Sequence, residues 1–310
     1  MQEIRNHQQQ STALMKLSQA NPIQLPIHEL NDIPIITILG TVPNQPTLWK
    51  SCIPESLIHR LLKWFHETLG HCGSDRLYKT VSNRFHCDRL YTHCRNFQCD
   101  INCHQWKGLG QGYGHLPARN VLATPWDEVD VDLIGPWKII VDGTEYKCNA
   151  LTCIDPVTNL VEIIRINNRT AKHVAQQFEN VWLSRYPSPN RCVHDRGKKF
   201  IGIEFQRMLG KHSIKNVPIT TRNPQANAIC ERMHSTIGNV LRIILRTNPP
   251  SNEDEAQQVM ENALATCMYS TRCAVHEALK TSPGALVYQR DMFVDVPVTS
   301  DLIAIRNRRQ

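Results

Sequence analysis

Val129-Asp130-Val131-Asp132-Leu133-Ile134 alternates apolar and acidic residues with a period of two, which predicts a strand, and Gly135-Pro136 ends it. Residues 146–154 and 161–167 are further apolar or alternating runs. Between them Asp155-Pro156-Val157-Thr158-Asn159 has the composition of a hairpin turn, so Asp155 is read as structural. Residues 192–195 predict a fourth strand stopped by Gly197, and residues 217–220 a fifth. Elsewhere the period becomes helical. Ala171, Val174, Ala175, Phe178, Val181 and Trp182 share one face behind a Thr170 cap. Asn223-Pro224 opens a long helix running to about Arg246, with Ile229, Met233, Ile237, Val240, Leu241 and Ile244 as its buried stripe. A short helix is expected over 204–209, and Glu253, Asp254 and Glu255 suit the first turn of another reaching Cys273. Strands with helices able to cover both faces indicate an α/β core over residues 122–294.

Upstream, residues 1–20 are polar and Gln-rich and predict a tail with at most a short helix. Residues 33–42 and 47–53 are β-prone on either side of a Pro-Asn-Gln-Pro turn, so residues 1–54 read as a tail and β-hairpin extension. Leu57, Ile58, Leu61, Leu62 and Phe65 form a helical stripe that Gly70 would end, opening a small unit over 55–108. The glycines of 108–114 mark a linker, assigned to 109–121. They follow no strand and lack a Walker Lys-Ser or Lys-Thr, which excludes a nucleotide-binding loop. Residues 295–310 form a basic tail.

A chain of 310 residues with 41% hydrophobic content has enough material for two or more packed domains. It has no 18-residue apolar run and no signal-peptide core near its start, so a soluble, intracellular protein with no membrane partner is expected. Twelve cysteines in that setting point to thiols or metal ligands, not to a disulfide framework. The net charge of +7 is unevenly spread. Between Arg196 and Arg246 there are ten Lys or Arg against two acids, Glu204 and Glu231. Such clustering suits a polyanionic partner, because basic side chains displace counterions from phosphates.

Three acids stand in contexts suited to a metal: Asp132 and Asp195 at strand ends, and Glu231 two turns into the long helix, off its apolar stripe. Magnesium takes hard oxygen ligands. A pair of such ions about 3.5–4 Å apart can activate the attacking oxygen and stabilise the leaving one in phosphoryl displacement, with no protein nucleophile. Asp130 shares the strand face of Asp132 and could compete with it. A second cluster comprises His66 and His71 on one local element and Cys99 and Cys103 on another. Zinc takes four nitrogen or sulfur ligands in a tetrahedron, and such a set could pin a domain too small to hold itself.

The motifs VDVDLIGPW, ALTCIDPVTNLVEI, CVHDRGKKFIGIEFQ and TRNPQANAICERMHSTIGNVLR resemble, in order and spacing, the core of gypsy-class retrotransposon and retroviral integrases. Thirty-five residues separate Asp195 from Glu231, as in that family's DDE signature. The resemblance spans roughly residues 58–295 and implies an RNase H-like core, a mixed five-stranded sheet flanked by helices, preceded by a small helical HHCC zinc-binding domain. It implies two Mg²⁺ (or Mn²⁺) ions held by Asp132, Asp195 and Glu231, and a structural Zn²⁺ held by His66, His71, Cys99 and Cys103. The implied reaction is 3′-end processing followed by strand transfer into double-stranded DNA, by a homo-multimer in the nucleus. Gln225 and Asn227 match family positions near DNA, and Lys198, Lys199, Arg222 and Arg232 are candidate phosphate contacts.

The chain departs from the family in three places. Its cysteines are spaced CxxxC where CxxC is usual, so either the loop bulges by one residue or Cys94, His93 or His104 substitutes. Lys198-Lys199 stand where a small or hydroxyl residue and then an acid are common, and could strengthen DNA binding or compete with the metal. Only Asp301–Gln310 follow where a small barrel is usual, so that module is expected to be absent. The departures sustain an alternative, a catalytically inactive integrase-derived DNA- or chromatin-binding protein. A ribonuclease H-type nuclease shares the fold but would not be expected to carry the HHCC domain.

Overall fold

The computed structural model describes residues 1–30, 32–40, 48–107, 124–218 and 224–293, excepting the side chains of residues 48 and 224–233. The expected linker, Arg222, the Asn223 cap and the tail from residue 295 lie outside the described residues. The chain folds as two compact units, Met1–Asp100 with the segment from Cys273, and Ile101–Arg272.

The first unit opens on two helices, α1 (Gln2–Gln10) and α2 (Thr12–Ala20), where the polar composition predicts a tail. The first of them docks by both apolar and polar contacts: Ile4 is buried in the apolar cluster of this unit, and the buried Gln8 amide donates to Ile36 O (2.9 Å) and Cys52 O (2.7 Å) and accepts from Ile36 N (2.8 Å). Strands β1 (Ile27–Leu30), β2 (Ile33–Gly40) and β3 (Leu48–Cys52) then form an antiparallel sheet, so the expected hairpin gains a third strand. Helices α3 (Glu55–Thr68) and α4 (Ser74–Ser82) follow, then the short strand β4 (Phe85–His86), parallel to β3, and helix α5 (Leu90–Asn96). Leu57, Ile58, Leu62 and Phe65 of the predicted stripe are buried with Leu77, Val81 and Leu90.

The second unit is built on strands β5 (Glu128–Val141), β6 (Thr144–Ile154) and β7 (Val161–Ile166). Helix α6 (Ala171–Phe178), continued by a π turn over Glu179–Leu183, leads to β8 (Arg191–His194), α7 (Lys198–Ile201), α8 (Ile203–Lys211) and β9 (Lys215–Pro218). Helices α9 (Pro224–Thr247) and α10 (Glu253–Cys273) close the unit. Helix α11 (Pro283–Tyr288) belongs with the first unit. The sheet order is β7-β6-β5-β8-β9, antiparallel across the first three strands and parallel across β5, β8 and β9. This is the mixed, RNase H-like α/β arrangement expected.

Strand alternation sorts the second unit's core into two faces. Val129, Val131, Leu133 and Cys192 pack with α6 and α8 through Val174, Phe178, Phe205 and Leu209. Ile134, Ala150 and Ile163 pack with α9 and α10 through Ile237, Val240, Leu241, Met260 and Ala263. Asp130 and Asp132, in phase with Ile134, belong to the α9 face.

The turn at 155–160 joins antiparallel β6 and β7 as a hairpin, as its composition predicts, and it is fully buried. Its polar groups are met by Asp155, whose carboxylate accepts from Val157 N (3.0 Å), Thr158 N (3.3 Å) and Thr158 Oγ1 (2.7 Å). Asp155→Ala orphans those donors where no water can replace the acceptor and is expected to cost about 3 kcal/mol in a urea or guanidinium titration.

Candidate functional site

The zinc candidates come first in the chain. Helix α3 ends because Gly70 (φ 63°) and then His71 (φ 58°) turn left-handed, which suits a residue without a Cβ at position 70. This folds the chain back so that His71 N donates to His66 O at 2.7 Å and the two imidazoles stand 5.0 Å apart, edge to face. On the returning segment Cys99 Sγ lies 3.5 Å from His71 Nδ1. The loop absorbs its extra residue with Asn102 at φ 48°, after which Cys103 begins a 3-10 turn. One ligand atom from each of His66, His71, Cys99 and Cys103 lies within 4.8 Å of every other. A zinc tetrahedron with these bond lengths has edges of about 3.6 Å, so the group fits after closing by about 1 Å. Cys94 is buried in the apolar cluster, and neither it nor His93 or His104 joins the group.

In the second unit, β5 and β8 run parallel with Val131 opposite His194. One residue beyond that last pair stand Asp132, inside β5, and Asp195, just past the end of β8; the strand end expected at Gly135-Pro136 is instead a register shift within a longer β5. Asp130 lies two residues deeper, opposite Val193 and 2% exposed, so of the two acids on this face Asp132 is the one at the opening. Asp132 Oδ1 accepts from Leu133 N at 2.7 Å, and its carbonyl accepts from the buried Thr152 hydroxyl at 3.2 Å. Asp195 Oδ1 accepts from Gly197 N at 3.0 Å, a local turn that leaves Oδ2 outward. Beneath it, His194 Nδ1 lies 2.6 Å from Asp195 O and Nε2 lies 2.6 Å from Asn216 Oδ1. Asn216 Nδ2 in turn donates to Gln206 Oε1 (2.7 Å), and Gln206 Nε2 to Phe200 O (2.6 Å).

The third acid arrives on α9. His234 of that helix places Nε2 3.7 Å from Asp132 Oδ2. Position 231 is three residues earlier, one turn away on the same helix face. The side chain of Glu231 lies outside the described residues, as do those of Gln225, Asn227 and Arg232. Lys198 is exposed, whereas Lys199 turns inward, its ammonium 3.5 Å from Asp195 Oδ2. The donor set is hard and anionic, and a cation already stands beside it. The first fits a divalent ion held by Asp132 and Asp195, whereas the second places a competing charge beside Asp195.

Sequence reasoning misses His234, although its spacing of i, i+3 from Glu231 on one helix is a usable signal. Burial, with the Lys199 ammonium as the second cause, pushes its imidazole down to about 4. A histidine held neutral takes up its proton more readily in the unfolded chain, so stability is full above the ordinary value of 6.5 and falls as pH drops toward 4. The loss should reach about 3 kcal/mol by pH 4 and be absent in His234→Asn, as read from denaturation midpoints across that range.

Comparisons with known proteins point in one direction. The Integrase zinc binding domain family matches residues 53–107. The chain is 23% identical over 224 residues to the retrovirus-related Pol polyprotein from transposon 412 of Drosophila melanogaster, covering 71% of this chain and 17% of that protein. It is 21% identical over 241 residues to the transposon Tf2-3 polyprotein of Schizosaccharomyces pombe, covering 75% and 17%. It thus spans about a sixth of the length of these curated relatives. Among solved structures it is similar to the HTLV-2 integrase catalytic core domain in complex with magnesium, with 17% identity, a TM-score of 0.41 and coverage of 52% of this chain and 95% of that one. It is also similar to a chain of the simian T-cell lymphotropic virus intasome in complex with PP2A regulatory subunit B56 gamma, with 15% identity, a TM-score of 0.46 and coverage of 76% and 77%.

Proposed function

We propose, for a chain of the retrotransposon/retroviral integrase type, that its second unit performs metal-dependent 3′-end processing and strand transfer on double-stranded DNA. The observation that supports this best is the convergence on one opening of Asp132, Asp195 and the α9 turn bearing Glu231. In this reading Asp132, Asp195 and Glu231 hold two Mg²⁺ or Mn²⁺ ions, which when bound supply the charge that activates the attacking oxygen and stabilises the leaving one. The chain's own residues orient and select. Thr152 and Leu133 N fix Asp132, the turn at Gly197 fixes Asp195, and neutral His234 adds no charge to compete with the ions.

DNA is held from the basic segment, with Lys198, Arg222 and Arg232 on phosphates and Gln225 and Asn227 at the start of α9 near the reacting end. Zinc at His66, His71, Cys99 and Cys103 has a structural role. Joining two DNA ends together requires more than one copy, so the working form is a homo-multimer acting in the nucleus. No helix among the described residues is long and apolar enough to cross a membrane.

A second reading has a specific observation behind it. Lys199 beside Asp195 suits a non-catalytic DNA-binding descendant. A strand-transfer assay on a short duplex with Mg²⁺ or Mn²⁺ separates the two. Joined product that disappears in Glu231→Gln supports integration. Salt-sensitive binding with no product in either protein supports the second reading.

A further inference from the structure

We infer that Lys199 is a resident counter-cation of the acidic site, and that a divalent ion settling against Asp195 displaces its ammonium. The inference rests on Asp132 and Asp195 being metal ligands.

The geometry of Lys199 is built, not incidental. It is the fourth residue after Asp195 and sits in the first turn of α7, so its side chain is carried back over the turn that holds Asp195. The space it crosses is opened by Gly197. A Cβ there would meet Asp195 Oδ1 at 2.9 Å, Lys199 Cε at 3.0 Å and Lys199 Nζ at 3.2 Å. The ammonium also stands 4.9 Å from the centre of the Phe200 ring, a second stabilising contact for a cation. Its side chain is only 14% exposed, whereas its neighbour Lys198 is exposed. Of two adjacent lysines, one faces solvent and one is folded onto the carboxylate.

A divalent ion on Asp195 would stand about 5 Å from an ammonium left in place, and Coulomb repulsion at that separation, even at the dielectric constant of water, weakens ion binding by about tenfold, which favours the ammonium moving off the carboxylate as the ion arrives.

The test uses the full chain with its zinc in place and Mn²⁺ as the probe, free Mn²⁺ being read from its electron paramagnetic resonance signal. Lys199→Gln should bind Mn²⁺ about tenfold more tightly than the unaltered chain, and Lys198→Gln, with the same change in net charge, within about twofold. Lys199→Arg, which keeps the cation, should retain the weak affinity and controls for general loosening of the site. Equal or weaker binding by Lys199→Gln, in a protein whose Mn²⁺ binding Asp195→Asn abolishes, overturns the role of Lys199 and leaves the metal site standing. Mn²⁺ binding that Asp132→Asn and Asp195→Asn both leave unchanged overturns the metal site and, with it, the inference.

Discussion

Stripping zinc from this chain should melt α3, α4 and α5, with their far-ultraviolet helical signal lost as a chelator removes the metal. The zinc candidates hang on a helix end, a left-handed turn and a single 3-10 turn, none of which is held by an extended ladder. Binding of a structural zinc is worth about 10–16 kcal/mol at neutral pH, as much as the whole net stability of an ordinary domain. Cys99→Ser should therefore lose both the ion and the helices. Cys94→Ser, at a cysteine outside the group, should keep the ion. Helices that persist after the metal has been shown to leave would rule out a structural role for it.

Asp132→Asn is expected to reduce strand transfer by at least about a thousandfold while leaving the fold intact. The carboxylate contributes charge to a site whose ions would stabilise the transition state by several kcal/mol, and each 1.4 kcal/mol is about a factor of ten in rate. An amide oxygen can still accept the 2.7 Å bond from Leu133 N, so unfolding is not the expected cause of the loss. Asp130→Asn is the matched control at the buried acid two residues deeper, and its effect should be read in thermal stability. A variant at 132 that joined DNA at the original rate would remove this residue from the chemistry.

The sheet and the acids are legible in the sequence because their signals are local. Period-two alternation sets Asp130 and Asp132 on one face, but the expected stop at Gly135-Pro136 is only a register shift inside a strand that continues to Val141, because pairing with β6 resumes at Trp137. The α9 stripe is legible for the same reason, with Ile237, Val240 and Leu241 buried as its period predicts. Three features are not. Residues 1–20 dock through Ile4 and the Gln8 amide, tertiary contacts that a Gln-rich composition hides. The turn at Asp155 has ordinary turn residues, and nothing in its order says that it is buried. Lys199 beside Asp195 is visible as an unusual residue, but only the fold shows that it points inward while Lys198 points out.

The bonded series from His194 through Asn216 and Gln206 to the carbonyl of Phe200 ties the aim of Asp195 to two amides that carry no charge. On the proposed reading, the three carboxylates alone are therefore not sufficient for a competent site. A descendant that had lost either amide would pass any inspection of its acidic signature and still hold one carboxylate askew. Positions 206 and 216 thus carry information about the competence of the proposed site that the acids themselves do not.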